Sequence, residues 1–431
     1  MKTIVSLATP AGNSGVAIIR ISGEKSKEIL QKLIKDSFDF EPRKMYLKNI
    51  HFGNLTDKCL VVFFANPYSY TGEDVAEIHS HGGYFISQKI IDECVKLGCS
   101  LAEAGEFSKR AFINGKMSID QAEGIMDLIN AESEMQAKAG SSLMQGKLKE
   151  KIEEYQNTLT EILAEIEAKL DYPEYEYTPN ETTNIKSKLT NLVDEFNSLI
   201  SESKSGLIIK NGIKVAIVGA PNVGKSSLLN VLTKSDKAIV TNIAGTTRDI
   251  IEAEYEFNGI IFRLFDTAGI HESNDIVERI GIDKALKTLD DADIVLRVSS
   301  PENICEIKTN KPHIDVFNKT DLLNKKSNKN FLYVSAINNE NINILKQEIF
   351  NKTVSTNLKS DKLYLTNTRH IEAVKQAKIS IENVLNIFDF TTMDIVSSEI
   401  KSAWNYLGEI SGVTSDEAII DKIFSKFCLG K

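Results

Sequence analysis

The spacing of apolar residues changes character several times along the 431-residue chain. Up to about Met117, β-rich runs such as GVAIIRIS and CLVVFFANP flank one helical pattern, YFISQKIIDECVKLG, and together predict a small α+β domain. From Ser118 the period lengthens. Leu148, Ile152, Tyr155, Leu159, Ile162, Ile166 and Leu170 recur at threes and fours, the stripe of a long amphipathic helix. DYPEYEYTPN interrupts it, and a second stripe follows through Ile185, Leu189, Leu192, Phe196 and Leu199. Packing in a bundle is preferred over a coiled coil for these helices.

From about Leu207 short apolar strands alternate with helical runs. IKVAIVGAP reads as a buried strand entering a loop, and AEYEFNGIIFRLFDTAG as a hairpin turning at Asn258-Gly259. DADIVLRVSS, PHIDVFNKTD and NFLYVSA read as further strands of a doubly wound α/β sheet. Between the first two of these there is room for little more than one turn of helix. After about Ser355 helical stripes return. The fold class expected is therefore multidomain α/β: an α+β N-terminal domain (1–117), a discontinuous helical bundle (118–206 and 356–431), and an inserted Ras-like doubly wound domain (207–355).

Composition adds bounds. Forty-two per cent hydrophobic and 26% charged residues describe a chain able to bury real cores. No run approaches the roughly 18 apolar residues of a membrane span. The opening MKTIVSLATPAGNSG lacks the features of a secretion or transit signal, so a cytoplasmic protein with no membrane association is expected. The five cysteines are scattered without a CxxC pair, which reads as free thiols. A net charge of −9 argues against a broad electrostatic grip on nucleic acid, while leaving a local basic patch possible.

Chemistry concentrates in the inserted domain. GAPNVGKSS matches G-x-x-x-x-G-K-S between a strand and a helical run, the context in which backbone N–H groups and a helix N-terminus cradle phosphates. Asn222, Val223, Gly224, Lys225, Ser226 and Ser227 form this loop. Lys225 is expected to reach the outer phosphates and Ser226 to hold Mg²⁺. Downstream, TTRD offers Thr247 to complete the Mg²⁺ shell. DTAG (Asp266, Thr267, Ala268, Gly269) places a carboxylate for the metal and a glycine beside the γ-phosphate. NKTD (Asn318, Lys319, Thr320, Asp321) lets Asp321 accept two bonds from a guanine edge, and Ser335, Ala336 and Ile337 close the base pocket. Four motifs in this order point to guanine nucleotide binding.

The hydrolytic machinery departs from the Ras pattern. Ile270 stands where a glutamine would orient the attacking water, and no arginine finger, worth about 10³–10⁵ in rate, is evident. Asn222 is a candidate ligand for a monovalent cation and Glu278 a candidate for directing the water. A structural loop asparagine and a surface glutamate are the blander readings.

Outside the nucleotide motifs, the stretches ATPAGNSGVAIIRISG, SYTGEDVAEIHSHGG, EAGEFSKRAFINGKMSIDQAE, TNIAGTTRD, NTRH and the closing FCLGK resemble the MnmE (TrmE) family of tRNA-modification GTPases from end to end. The resemblance implies a homodimer joined through its N-terminal domains. It implies an FAD-dependent partner (MnmG, also called GidA) in a heterotetramer or larger complex. The implied reaction places an aminomethyl or carboxymethylaminomethyl group on carbon 5 of the wobble uridine (position 34) of certain tRNAs. The one-carbon unit comes from 5,10-methylenetetrahydrofolate, with 5-formyltetrahydrofolate as an analogue. Hydrolysis of GTP would depend on K⁺ held by Asn222, Thr241, Ile243 and Thr246, with the surrounding Asn242, Ala244 and Gly245 also lining the nucleotide. Glu278 matches the family's water-orienting glutamate. Arg20, Glu77, Lys116 and the terminal Lys431 match folate-contacting positions, and Cys428 is expected near the transferred carbon.

Ala11 and Ser14 depart from the family's usual residues, and the tail reads CLGK where CIGK is common. His79 and His81 read as structural in the absence of a third ligand, and Trp404 as core. The alternatives are a ribosome-assembly GTPase and a non-catalytic folate-binding scaffold. The flanking stretches disfavour the first, and intact Lys225, Asp266, Asp321 and Glu278 disfavour the second.

Overall fold

The computed structural model describes residues 2–171, 178–234, 253–266, 289–323, 330–354 and 362–431, which divide between two compact units. The first unit comprises Met1–Met126, Leu143–Tyr175 and Phe390–Lys431; the second comprises Asp127–Ser142 and Glu176–Asp389. The fold class is the one expected: an α+β N-terminal sheet, helices drawn from separate stretches of chain, and an inserted doubly wound α/β sheet.

In the first unit six strands, β1 (Ile4–Leu7), β2 (Ser14–Ser22), β3 (Met45–Phe52), β4 (Leu55–Phe64), β5 (Val75–Gly82) and β6 (Ser100–Leu101), lie in the order β3-β4-β5-β2-β1-β6. All neighbours are antiparallel except β1 and β6. Alternation along the strands decides which side chains are dry. Ala17, Ile19 and Ile21 of β2 and Ala76 and Ile78 of β5 pack against Ile29, Leu30 and Leu33 of helix Ser26–Ile34 and Ile90, Ile91 and Cys94 of helix Tyr84–Lys96. Arg20, Glu77 and His79, one residue out of phase, therefore project from the opposite face.

The long stripe read from Leu148 onward is helix Lys147–Asp171, which packs along helix Met393–Ser411. Gln156 Nε2 donates to the Trp404 carbonyl at 3.1 Å between them. Beyond helix Glu417–Phe424, Phe424 and Phe427 are buried with Ala122 against Phe112 and Met117, and their rings lie 5.1 Å apart. These two aromatics seat the end of the chain.

In the second unit helix Pro179–Asn211 opens with a capping box. Thr178 Oγ1 accepts from Glu181 N at 3.3 Å, and Glu181 Oε2 accepts from Thr178 N at 2.8 Å. Gly212 ends the helix with φ 73° and turns directly into β7 (Ile213–Val218). The strands β8 (Ala253–Phe257), β9 (Ile260–Asp266), β10 (Ile294–Ser299), β11 (His313–Phe317) and β12 (Leu332–Tyr333) complete a sheet ordered β12-β11-β10-β7-β9-β8. Only β8 runs antiparallel, joined to β9 through Asn258 and Gly259 at φ 51° and 81°, the left-handed pair that a two-residue hairpin requires. Between β10 and β11 there is no helix at all, less than the single turn expected. Ser300 and Asn303 close a turn through reciprocal backbone bonds, Cys305 N donates to Ser299 Oγ, and Cys305 and Ile307 cover the sheet. Among the described residues no helix is long and apolar enough to cross a membrane.

Candidate functional site

The GAPNVGKSS loop, expected to cradle phosphates, leaves β7 at Gly219, and helix Lys225–Lys234 rises from its far end. Two glycines are dictated by close approach. A Cβ on Gly219 would stand 2.3 Å from the Val298 carbonyl oxygen, and one on Gly224, at φ 92°, would stand 2.3 Å from Asn318 Nδ2. Asn222 holds a left-handed conformation at φ 63°, which asparagine tolerates better than most residues. Lys225 Nζ donates to the carbonyls of Gly219 at 2.8 Å and Ala220 at 3.2 Å, so its cation lies over the loop. Ser226 and Ser227 follow in the first helical turn, where N–H groups face an incoming anion.

The residues expected to read the base sit where β11 ends. Asn318 is buried; its Nδ2 donates to Val223 O at 3.0 Å and its Oδ1 accepts from Ala336 N at 3.1 Å. Lys319, at φ 62°, turns the chain into the 3₁₀ segment Thr320–Leu322. Ser335 Oγ donates to Asp321 Oδ1 at 2.6 Å and accepts from Asn338 N at 3.3 Å. Ile337, expected to close the base pocket, is 77% exposed. Asp266 is the last residue of β9, beside Ile217 of β7. Thr241, Asn242, Ile243, Ala244, Gly245, Thr246, Thr247, Thr267, Ala268, Gly269, Ile270 and Glu278 lie outside the described residues.

The first unit carries a second constellation. Arg20 of β2 stands directly across from Glu77 of β5, and Arg20 Nε donates to Glu77 Oε1 at 2.8 Å. The guanidinium is flanked by the rings of Tyr70, 5.3 Å away, and Phe107, 5.7 Å away. Tyr70 Oη and Ser108 Oγ are hydrogen-bonded at 2.8 Å, which holds that ring in place. Burial pushes the Glu77 carboxyl up, but the His79 hydrogen bond and the Arg20 charge outweigh it and hold the group below the usual glutamate range.

The tail folds back onto this region. Leu429 bridges Ala104, Gly105 N donates to Cys428 O at 3.4 Å, and a Cβ on Gly430 (φ 88°) would stand 2.1 Å from the Leu7 carbonyl oxygen. Lys431 is thereby half-buried near Arg20. Burial first, and the Arg20 charge second, hold its ammonium below the ordinary lysine range, against the opposite pull of Cys428. Cys428 itself is exposed. Arg20, Glu77 and Lys431 thus come together from the two ends of the chain. Lys116 is placed differently: its Nζ donates to Pro67 O at 3.0 Å, on the loop that carries Tyr70.

Further residues support the cluster that periodicity does not reveal. Arg110, buried, bonds Glu73 at 3.0 Å and Glu106 at 2.7 Å, while Ser22 Oγ donates to Glu73 Oε2 at 2.7 Å. Tyr70, Phe107, Ser108 and Arg110 all fall within SYTGED or GEFSKRAF, and that membership is the one sign of them in the sequence. His79 and His81 serve separate carboxylates, Glu77 at 3.3 Å and Asp57 at 2.6 Å. Among the described residues no group of three or more His, Cys, Asp or Glu is placed to hold a metal.

Two protein-family models match the chain, "GTP-binding protein TrmE N-terminus" over residues 3–116 and "MnmE helical domain" over residues 119–428. The chain is 40% identical over 450 residues to the tRNA modification GTPase MnmE of Mesoplasma florum, covering 100% of this chain and 99% of that protein. It is 38% identical over 452 residues to the tRNA modification GTPase MnmE of Thermotoga maritima, covering 100% of both. Among solved structures, the G domain of the T. maritima FeoB iron transporter matches at 29% identity over 32% of this chain and 98% of that one, with a TM-score of 0.26.

Proposed function

The chain belongs to the MnmE family of tRNA modification GTPases, and from that premise we propose that it is a K⁺-dependent GTP hydrolase that works with an FAD-dependent partner. In this reading the pair transfers a one-carbon unit from 5,10-methylenetetrahydrofolate to carbon 5 of the wobble uridine of certain tRNAs, in the cytoplasm. The observation that carries the reading is the tail. Lys431, half-buried and close enough to feel the Arg20 charge, with Arg20 paired to Glu77 and flanked by two aromatic rings, supports reading these residues as a ligand site.

The residues fit the groups the reading requires. Cationic Arg20 and Lys431 suit the anionic tail of a folate, Glu77 suits the N–H donors of a pterin, and Tyr70 and Phe107 supply aromatic surface. Lys116, bonded to Pro67 O on the loop that carries Tyr70, would support the same ligand. In the second unit Ser226 offers a hydroxyl oxygen suited to Mg²⁺, with Thr247 completing the set. Asn222 offers an amide oxygen suited to K⁺, with Thr241, Ile243 and Thr246. Such a cation, when bound, neutralises charge developing on the phosphoryl group, and Glu278 orients the water. Asp321, steered by Ser335, accepts the guanine edge.

A homodimer formed through the N-terminal sheet is supported by its uncovered face. Met45, Leu47, Leu60 and Val16 are 42% to 56% exposed there, and Leu47, Leu60, His79 and Ile18 form one row across four strands. The reaction is tested with isotope-labelled methylenetetrahydrofolate, GTP, K⁺, the partner and unmodified tRNA. Label at carbon 5 of position 34 is expected; unlabelled product, or none, contradicts the proposal.

A further inference from the structure

We propose that His79 is a positioning residue for the ligand site of the first unit, locking the Glu77 carboxylate in the plane in which it meets a bound pterin. The inference rests on reading that site as a folate site, and it gives His79 no contact of its own with the ligand.

Glu77 is gripped along two directions. Arg20 reaches Oε1 from across the sheet, at 2.8 Å, because Arg20 and Glu77 are register partners on β2 and β5. His79 reaches Oε2 along the strand, at 3.3 Å, because residues two apart on β5 share a face. An ionised carboxylate only accepts hydrogen bonds, so His79 Nε2 must carry the proton in this contact. With Arg20 alone, the carboxylate would remain free to rotate about its terminal torsion, which is broad for glutamate. The second bond removes that freedom. A carboxylate that must accept bonds from a planar heterocycle gains most from a fixed plane.

Neighbouring rows hold His79 itself. It stands between Leu60 of β4 and Ile18 of β2, and its side chain is 21% exposed, so the bond is largely shielded from water. His81, the next residue on the strand's pattern, is turned to Asp57 and takes no part.

The test is equilibrium binding of 5-formyltetrahydrofolate to the full-length chain. His79→Ala is expected to weaken binding about tenfold, the loss of one hydrogen bond to a charged group. His79→Gln, whose amide can donate to Glu77, is expected to restore binding to within about threefold of wild type. The rate of GTP hydrolysis and the melting temperature should not change, whereas a merely structural role would move the melting temperature and show no rescue by glutamine. If the alanine variant does not fold, His79→Leu keeps the bulk of the ring and serves in its place. Glu77→Ala and Arg20→Ala separate the two claims. If they bind the folate as wild type does, the site reading fails and this inference with it. If they bind weakly but His79→Ala and His79→Leu bind normally, or glutamine gives no rescue, the site stands and the positioning role is overturned.

Discussion

Asn318 Nδ2 donates to the main-chain carbonyl of Val223 at 3.0 Å and ties the NKTD loop to the GAPNVGKSS loop. The approach is so close that Gly224 has no room for a side chain beside it. Asn318→Ala would strand the Val223 carbonyl and the Ala336 N–H, each a buried group costing about 1–3 kcal/mol unpaired. GDP affinity is expected to fall about a hundredfold by calorimetry, with no change in the first unit's folate affinity. Unaltered GDP binding would show that the two loops are positioned independently.

Asp321 should decide which base is bound. Its carboxylate is steered by Ser335 Oγ, so exchanging carboxylate for amide in Asp321→Asn changes the hydrogen-bond pattern without moving the chain. Competition assays should show preference shifting from guanosine to xanthosine nucleotides by about 10² or more. A retained guanosine preference refutes the assignment.

How much of this is legible in the sequence differs between the two sites, for a physical reason. The candidate nucleotide site draws on short contiguous motifs at strand ends, and each motif carries its own spacing: the glycines of GAPNVGKSS and the polar run NKTD. The cluster of Arg20, Glu77 and Lys431 joins both ends of the chain, and only sheet register and the docked tail bring it together. Neither is visible in local periodicity; the resemblance of whole stretches to a family is what points there. The missing helix between β10 and β11 is nearly legible, because Ser300 to Pro312 is too short and too interrupted for one.

The tail should respond to one methyl group. A Cβ on Gly430 would collide with Leu7, and φ 88° strains any side chain there, while Phe424 and Phe427 remain buried upstream. Gly430 is buried, so Gly430→Ala is expected to push the last residues out of their seat rather than be absorbed in place. Carboxypeptidase should trim the variant's last residues much faster. Equal trimming rates would mean the tail is not held by this contact.

Ligand binding should fail early on the alkaline side. Lys431 is held below the ordinary lysine range by burial and Arg20, so it sheds its proton at a lower pH than a free lysine does. In the folded protein below that point the crowded ammonium is unfavourable, and stability rises as pH climbs through its lowered value towards the unfolded one. An anionic ligand favours the charged form, so its affinity runs the other way and falls as pH climbs through the same window. Lys431→Arg stays charged and should flatten that fall in 5-formyltetrahydrofolate binding. A wild-type profile with no alkaline loss contradicts the placement of Lys431.

Turnover of GTP should depend on the alkali ion. Replacing K⁺ by Na⁺ is expected to slow hydrolysis sharply, and Asn222→Ala to remove the difference. Glu278→Ala should bind GTP normally and hydrolyse it poorly. Equal rates in both salts, or an unimpaired Glu278 variant, would remove these residues from the mechanism.

The most direct measurement is mass-spectrometric nucleoside analysis of tRNA from cells lacking this chain, complemented by wild type or by Lys431→Ala. The wild-type gene should restore the aminomethyl-type group on carbon 5 of the wobble uridine, and the variant should not. If that modified nucleoside persists in cells without the chain, the function proposed here is wrong.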